Sequence, residues 1–154
     1  MDLHQPSKIR ITCSLGLGKA LREEVEALGY TPIRESETDL EIEGNLDDAM
    51  RLNLELRVGF HVQLELDRFT CPDADTLYGA VNALAWEELL PLESYFSVVS
   101  RVSNSTITNS MFPSLKVKDA VVDRISAQLG ARPDSGPMRD RIVLTLLWLG
   151  NDAV

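Results

Sequence analysis

The chain has 154 residues, of which 44% are hydrophobic and 25% are charged, so its composition excludes a disordered chain and indicates one medium or two small domains. Its 24 acidic residues outnumber its 15 lysines and arginines, which excludes a protein that binds nucleic acid through its overall charge. The longest apolar run, residues 142–149, is too short to span a bilayer, and the two cysteines lie far apart in the sequence. We therefore expect a reduced, cytoplasmic protein with no membrane partner.

The first part of the chain predicts a β-α-β-β-α-β order. An alternating, β-branched segment predicts the first strand, and apolar residues at helical spacing follow it until Gly29. Asn45 is the expected N-cap of the second helix. The predicted elements are residues 8–13, 17–28, 31–34, 39–43, 46–57 and 60–66. This order is that of a ferredoxin-like domain, which we place at residues 1–69.

The second part of the chain, residues 70–154, predicts a separate α/β unit. Its first helix is expected to be capped by Asp73 or Asp75. The elements that follow are a helix to 85, a helical turn at 86–90, a strand at 95–102, a polar loop at 103–110, a helix at 113–129 and a strand at 139–149. Trp86 and Trp148 each lie beside apolar neighbours, which favours packing in the core over stacking on nucleic-acid bases.

The end of the chain suggests an unfinished hairpin. The apolar strand at 142–149 is followed by a turn signal at Asn151 and Asp152, and then by only two residues. We therefore expect a fragment of a longer protein that is truncated within its last hairpin, the alternative being a natural C-terminus. A strand without its hairpin partner would expose an edge, through which the fragment would dimerise or lose stability.

Charge is distributed unevenly along the chain. Residues 94–133 carry five basic and two acidic side chains and form the only net positive segment, which contains the polar loop and the helix after it. A helix N-terminus also offers free N–H groups and a partial positive charge, so this region could hold a phosphate group. The alternative is that the excess of positive charge is a fluctuation on a solvated helix.

The helix at 113–129 has one broad apolar arc. Its members are Leu115, Val117, Val121, Val122, Ile125 and Leu129. Lys118 falls within this arc, where it extends past the edge of the sheet to solvent, pairs with a carboxylate, or points across the helix N-terminus towards a bound anion. Lys116 lies on the opposite face together with Ala120, and a contact with Asp119 is sufficient to explain it.

The segment from Asn109 to Asp123 resembles the signature helix of THUMP domains. More narrowly, the chain is similar to the THUMP region of bacterial class I RNA methyltransferases that modify guanine N2, of the 23S rRNA type. Supporting motifs occur in the same order as in that family. They are Gly16-Leu17, Ile42-Glu43-Gly44-Asn45-Leu46, Leu52-Asn53-Leu54 with Arg57, Asp75-x-Leu77-Tyr78 and Trp86-Glu87-Glu88.

The resemblance implies an α+β chain in which a ferredoxin-like domain packs against a THUMP domain that begins between residues 44 and 70. It implies that a Rossmann-like methyltransferase domain, which uses S-adenosylmethionine, lies outside this chain. RNA would be the partner, 23S rRNA being favoured over tRNA. The predicted RNA-binding residues are Arg101, Asn109, Ser110, Lys116, Lys118 and Arg124. We expect no catalytic, cofactor-binding or metal-binding residue within these 154 positions.

A second hypothesis belongs to another functional class. The acidic first domain could be a regulatory or interaction module that binds a small molecule or a protein. The two hypotheses differ in whether the chain binds RNA in a salt-dependent way.

Overall fold

The computed structural model describes residues 2–104, 107 and 111–154. The chain divides into two compact units, residues 2–66 and residues 67–154, which we call the N-terminal unit and the C-terminal unit. Each unit combines a β-sheet with helices, in agreement with the mixed α and β fold expected from the sequence.

The N-terminal unit has the expected β-α-β-β-α-β order. Its elements are β1 (Ser7–Cys13), α1 (Gly18–Ala27), β2 (Pro32–Glu35), β3 (Asp39–Gly44), α2 (Leu46–Glu55) and β4 (Gly59–Leu64). The sheet order is β2-β3-β1-β4, and every neighbouring pair is antiparallel. This is the arrangement of a ferredoxin-like domain, so the predicted fold of this half is confirmed.

The core of the N-terminal unit follows from the alternation of β1. Ile9 and Ile11 are fully buried and belong to one cluster with Leu21 and Val25 of α1 and Leu52 of α2. These residues lie on a single face of each element, as the period of a strand and the period of a helix require.

Asn45 caps α2 as predicted. Its side chain accepts a hydrogen bond from the Asp48 N–H at 3.1 Å, and the Asp48 carboxylate accepts one from the Asn45 N–H at 2.9 Å. Such a reciprocal box satisfies two backbone donors that the first turn of a helix otherwise leaves free.

The C-terminal unit is built on a five-stranded sheet with the order β5-β9-β8-β6-β7. Its elements are β5 (Phe69–Thr70), α3 (Ala74–Ala83), α4 (Trp86–Leu89), β6 (Tyr95–Ser103), α5 (Met111–Leu129), β7 (Asp134–Ser135), β8 (Ile142–Leu149) and β9 (Asp152–Ala153). Strand β6 is parallel to both β7 and β8, whereas β9 is antiparallel to β8 and β5. The first helix of this unit is capped by the Asp73 side chain, which accepts from the Thr76 N–H at 2.7 Å.

The strand at 142–149 has a hairpin partner at its end, so the expectation that it lacks one is wrong for residues 147–149, and β9 does not extend along the rest of the strand. After the turn, β9 pairs with Trp148 and Leu149, and the backbones of Leu147 and Val154 exchange two hydrogen bonds of 2.9 Å. Because β6 pairs along the other side, β8 is an internal strand of the sheet. At Trp148 and Leu149 the strand is therefore covered on both sides, and the edge-strand dimer stays a prediction.

The buried face of α5 differs from the predicted arc. Leu115 and Leu129 are 49% and 46% exposed, whereas Ala120, expected on the open face, is fully buried. The reason is that α5 packs against α3 as well as against the sheet: the Asn82 side chain of α3 donates to the Ala120 carbonyl oxygen at 3.0 Å.

Both tryptophans lie in the core of the C-terminal unit, as predicted. Trp148 is fully buried, and its indole N–H donates to the Cys71 carbonyl oxygen at 2.9 Å. Trp86 is 4% exposed, and its indole N–H donates to the Val81 carbonyl oxygen at 2.6 Å. Each ring thus has a partner for its one polar atom.

Cys13 and Cys71 are free thiols and both are buried. Burial raises the pKa of the Cys71 thiol to about 11. Across the part of the chain that the structure describes, no helix is long and apolar enough to cross a membrane.

Candidate nucleic-acid interface

Helix α5 carries three of the six residues predicted to bind RNA, Lys116, Lys118 and Arg124. It follows β6 in the chain, and the side-chain oxygens of Ser100 on β6 and Ser114 on α5 lie 2.7 Å apart. This contact shows which face of β6 is turned towards the helix. Asn109 and Ser110, also predicted to bind RNA, lie outside the described residues.

Lys116 is held by α3 and not by Asp119 as expected. Its ammonium nitrogen lies 3.2 Å from a carboxylate oxygen of Asp75 and 5.6 Å from the centroid of the Tyr78 ring. The Tyr78 hydroxyl in turn donates to the Asp123 carboxylate at 2.7 Å, a bond that raises the pKa of the tyrosine. The face of α5 opposite the predicted apolar arc, which we expected to be exposed to solvent, is therefore the face that contacts α3.

Arg124 forms the strongest ion pair of α5. Its guanidinium group donates to both oxygens of the Glu87 carboxylate in α4, at 2.6 and 3.0 Å. This bidentate hydrogen bonding lowers the pKa of Glu87 to about 2 and raises that of Arg124. We call this pair and the contacts of α5 with Asp75, Tyr78 and Asn82 the helix seam.

The Glu87–Arg124 pair predicts a specific pH dependence of stability. The folded-state pKa of Glu87, about 2, lies below the ordinary value of 4.5, so the pair stabilises the fold fully above about pH 4.5. This contribution is lost as the pH falls towards 2 and the carboxylate takes up a proton. A Glu87→Gln variant should therefore be less stable than wild type at pH 7, and the difference should shrink as the pH is lowered.

Urea unfolding followed over a series of pH values measures this difference. Glu93→Gln is the matched control, because Glu93 is exposed and forms no ion pair with any residue in the described ranges. A gap between wild type and Glu87→Gln that stayed constant throughout the acid range would contradict the assignment.

Lys118 differs from Lys116 and Arg124 because no carboxylate in the described part of the chain pairs with it. Its side chain is half-buried, and among residues 2–104, 107 and 111–154 it forms neither a hydrogen bond nor an ion pair. A helix turns about 100° per residue, so Lys118 projects about 160° away from Ala120 and from the seam. This side of α5 faces the sheet and carries the buried Val122 and Ile125, and no described carboxylate neutralises the Lys118 ammonium group there.

Arg101 is exposed, but the structure does not group it with Lys118. Side chains alternate between the two faces of a strand, and the neighbouring Ser100 faces α5. Arg101 therefore projects from the opposite face of the sheet, where its register partner on β8 is Leu147. Within the described residues, Arg101 and the start of α5 therefore do not come together in one anion pocket.

The predicted set thus separates into two groups. Lys116 and Arg124 are engaged in the seam, whereas Arg101 and Lys118 carry charges that no described carboxylate neutralises. The sequence did not predict that Asp75, Tyr78 and Glu87 contact α5, since no local pattern near them indicates such a contact. No group of three or more His, Cys, Asp or Glu side chains within the described ranges is arranged to hold a metal ion.

Comparison with known families matches both units. Residues 8–63 match the RlmL ferredoxin-like domain, and residues 71–135 match the THUMP domain. These are the two domains, in the same order, that the sequence resemblance implied.

Two curated relatives agree with the family match. The chain is 37% identical over 126 residues to the ribosomal RNA large subunit methyltransferase K/L of Pseudomonas entomophila, covering 82% of this chain and 17% of that protein. It is 34% identical over 141 residues to the protein of the same name from Syntrophotalea carbinolica, covering 92% of this chain and 20% of that protein.

A crystal structure from Listeria monocytogenes, described as a predicted N6-adenine-specific DNA methylase, superposes with a TM-score of 0.77 at 27% identity. The similarity covers 97% of this chain and 39% of that one. In the two curated relatives, by contrast, the matched region spans about a fifth of the length of the protein. The chain consists of an RlmL ferredoxin-like domain followed by a THUMP domain.

Proposed function

We propose that this chain is the RNA-binding region of a larger RNA methyltransferase. The family match and the names of the curated relatives, which are ribosomal RNA large subunit methyltransferases, support this proposal. In that protein the chain would hold 23S rRNA in the cytoplasm, while a separate domain transfers a methyl group from S-adenosylmethionine to a guanine N2. The chain itself supplies binding and position.

The observation that carries the proposal is the unpaired ammonium group of Lys118. A partly buried cation loses some of its hydration, and this loss is normally offset by a carboxylate, as it is for Lys116 and Arg124. Lys118 has no such partner among the described residues, and it projects from α5 on the side away from the seam. An RNA phosphate would supply the missing negative charge.

RNA contacts of this kind fix position without reading sequence. Lys118 would contact one phosphate from α5, and Arg101 another from the opposite face of the sheet. Asn109 and Ser110, which lie outside the described residues, remain predicted RNA contacts. Lys116 and Arg124 would act indirectly, by holding α5 against α3 and α4.

Replacing Lys118 by alanine tests the proposal. Each phosphate contact contributes about 0.7 to 0.9 to the slope of log affinity against log salt concentration, so Lys118→Ala should weaken binding about 5- to 8-fold near 0.1 M salt. The slope itself should become shallower by about one unit. Affinity is measured by fluorescence anisotropy with a labelled RNA hairpin, after circular dichroism has shown that the variant is folded.

Two matched variants control this experiment. Lys118→Arg keeps the charge and should retain most of the affinity and the slope. Lys19→Ala removes an exposed lysine of the N-terminal unit, which lies 3.8 Å from Glu23, and should change little. Equal RNA affinities for wild type and a folded Lys118→Ala would move the RNA site away from α5.

A further inference from the structure

The segment 132–141, which contains β7 and the loop that joins it to β8, presents arginines that have no partner within the described ranges. Arg132, Arg139 and Arg141 are all exposed, and none forms an ion pair or a hydrogen bond with a described residue. Two carboxylates, Asp134 and Asp140, lie between them in sequence, but neither comes within ion-pair distance of a guanidinium group. Three free cations therefore outnumber the two acids on this stretch.

The topology of the sheet brings these arginines to one end of the C-terminal unit. Asp134 of β7 and Ile142 of β8 pair with the adjacent residues Tyr95 and Phe96, so the loop crosses the beginning of β6. The two flanking strands are about 10 Å apart, twice the spacing of neighbouring strands. Arg141 directly precedes β8, and Arg132 lies two residues before β7.

Two hydrogen bonds anchor the loop close in sequence to Arg139. The Tyr95 hydroxyl oxygen accepts a hydrogen bond from the Met138 N–H at 3.0 Å, and the Gly136 N–H donates to the Phe96 carbonyl oxygen at 3.2 Å. Gly136 packs so closely that a Cβ there would lie 2.5 Å from the tyrosine oxygen. A loop held in this way loses little conformational freedom when its side chains bind a ligand.

We propose that Arg139 and Arg141, supported by Arg132, bind RNA phosphate groups at a second contact region. The proposal rests on the proposed RNA-binding function and extends it. Guanidinium groups suit this role because each can donate two parallel hydrogen bonds to a phosphate.

The second contact region, formed by Arg139 and Arg141, is separated along α5 from the first contact, Lys118. The eleven steps along α5 from Lys118 to its last residue, Leu129, span about 16 Å, and Arg132 follows that end. An RNA that contacts both regions lies along the C-terminal unit and crosses this distance. The two regions are therefore independent contributions to one RNA interface.

The double variant Arg139→Ala/Arg141→Ala tests this region. Two lost phosphate contacts should make the slope of log affinity against log salt shallower by about two units, and should weaken binding about 25- to 60-fold near 0.1 M salt. The matched control, Arg22→Ala/Arg51→Ala, removes two arginines that pair with glutamates in the N-terminal unit and should leave RNA binding unchanged. All variants are checked for folding by circular dichroism.

The outcomes separate this inference from the proposed function. If wild type binds the RNA hairpin and Lys118→Ala weakens binding, but the folded Arg139→Ala/Arg141→Ala variant binds as wild type does, the second contact region is wrong and the proposed function stands. If wild type shows no RNA binding at low salt, both proposals fail together. A shallower slope in the double variant, with Arg22→Ala/Arg51→Ala unchanged, supports the inference.

Discussion

Replacing Trp148 by alanine is expected to lower the free energy of unfolding of the C-terminal unit by about 3 to 5 kcal/mol. Trp148 is fully buried on β8, an internal strand paired with both β6 and β9. The truncation leaves a large cavity, and it also removes the hydrogen-bond donor of the Cys71 carbonyl oxygen. A loss of this size is a large share of the stability of an ordinary domain.

Leu149→Ala is the matched control for Trp148→Ala. Leu149 is the next residue on β8, projects from the opposite face of the sheet and is 53% exposed, so its truncation should have an effect below about 1 kcal/mol. Urea unfolding gives the two free energies, and amide hydrogen exchange shows whether the loss of protection is confined to residues 67–154. Similar destabilisation by both variants would contradict the core assigned to this unit.

The N-terminal unit could be predicted from sequence because its signals are local. The alternation of Ile9 and Ile11, the cap at Asn45 and the stop at Gly29 each act within a few residues, and together they determine the order of strands and helices. Gly29 adopts a φ of +93°, a conformation that favours glycine at the end of a helix. Local rules and the tertiary fold agree here, so the predicted elements are those observed.

The C-terminal unit differs from the prediction where contacts between segments distant in sequence determine strand pairing and burial. Two residues of β9 are too few to be recognised as a strand, yet they pair with the end of β8 on one side and with β5 on the other. Ala120 is buried because α3 packs on that side of α5, which the helical pattern of α5 alone does not reveal. In both cases a tertiary contact determines the outcome.

The predicted RNA-binding residues illustrate the same limit. The positive charge of residues 94–133 is visible in sequence, but its distribution between structural and free cations is not. Glu87 neutralises Arg124 from a different helix, and the alternation of β6 separates Arg101 from Lys118. Arg139 and Arg141 are not among the predicted RNA-binding residues, because residues 134–154 have a net charge of −1.

Salt-dependent RNA binding by a chain with a net charge of −9 is the second large effect that we expect. A strongly acidic protein repels RNA as a whole, so any affinity must come from a local group of cations. Contacts from Lys118 and Arg101 alone predict a slope of about −1.4 to −1.8, and hence a 7- to 12-fold loss of affinity between about 50 and 200 mM salt. Further contacts from Arg139 and Arg141 would make the slope steeper.

The most direct test of RNA binding is therefore a titration of the wild-type chain against a labelled RNA hairpin at several salt concentrations between about 50 and 200 mM. We predict saturable binding at the lowest concentration and a linear decrease of log affinity with log salt, at least as steep as two phosphate contacts require. Absence of binding at the lowest salt concentration, or an affinity that does not change with salt, would contradict the assignment of this chain as an RNA-binding region.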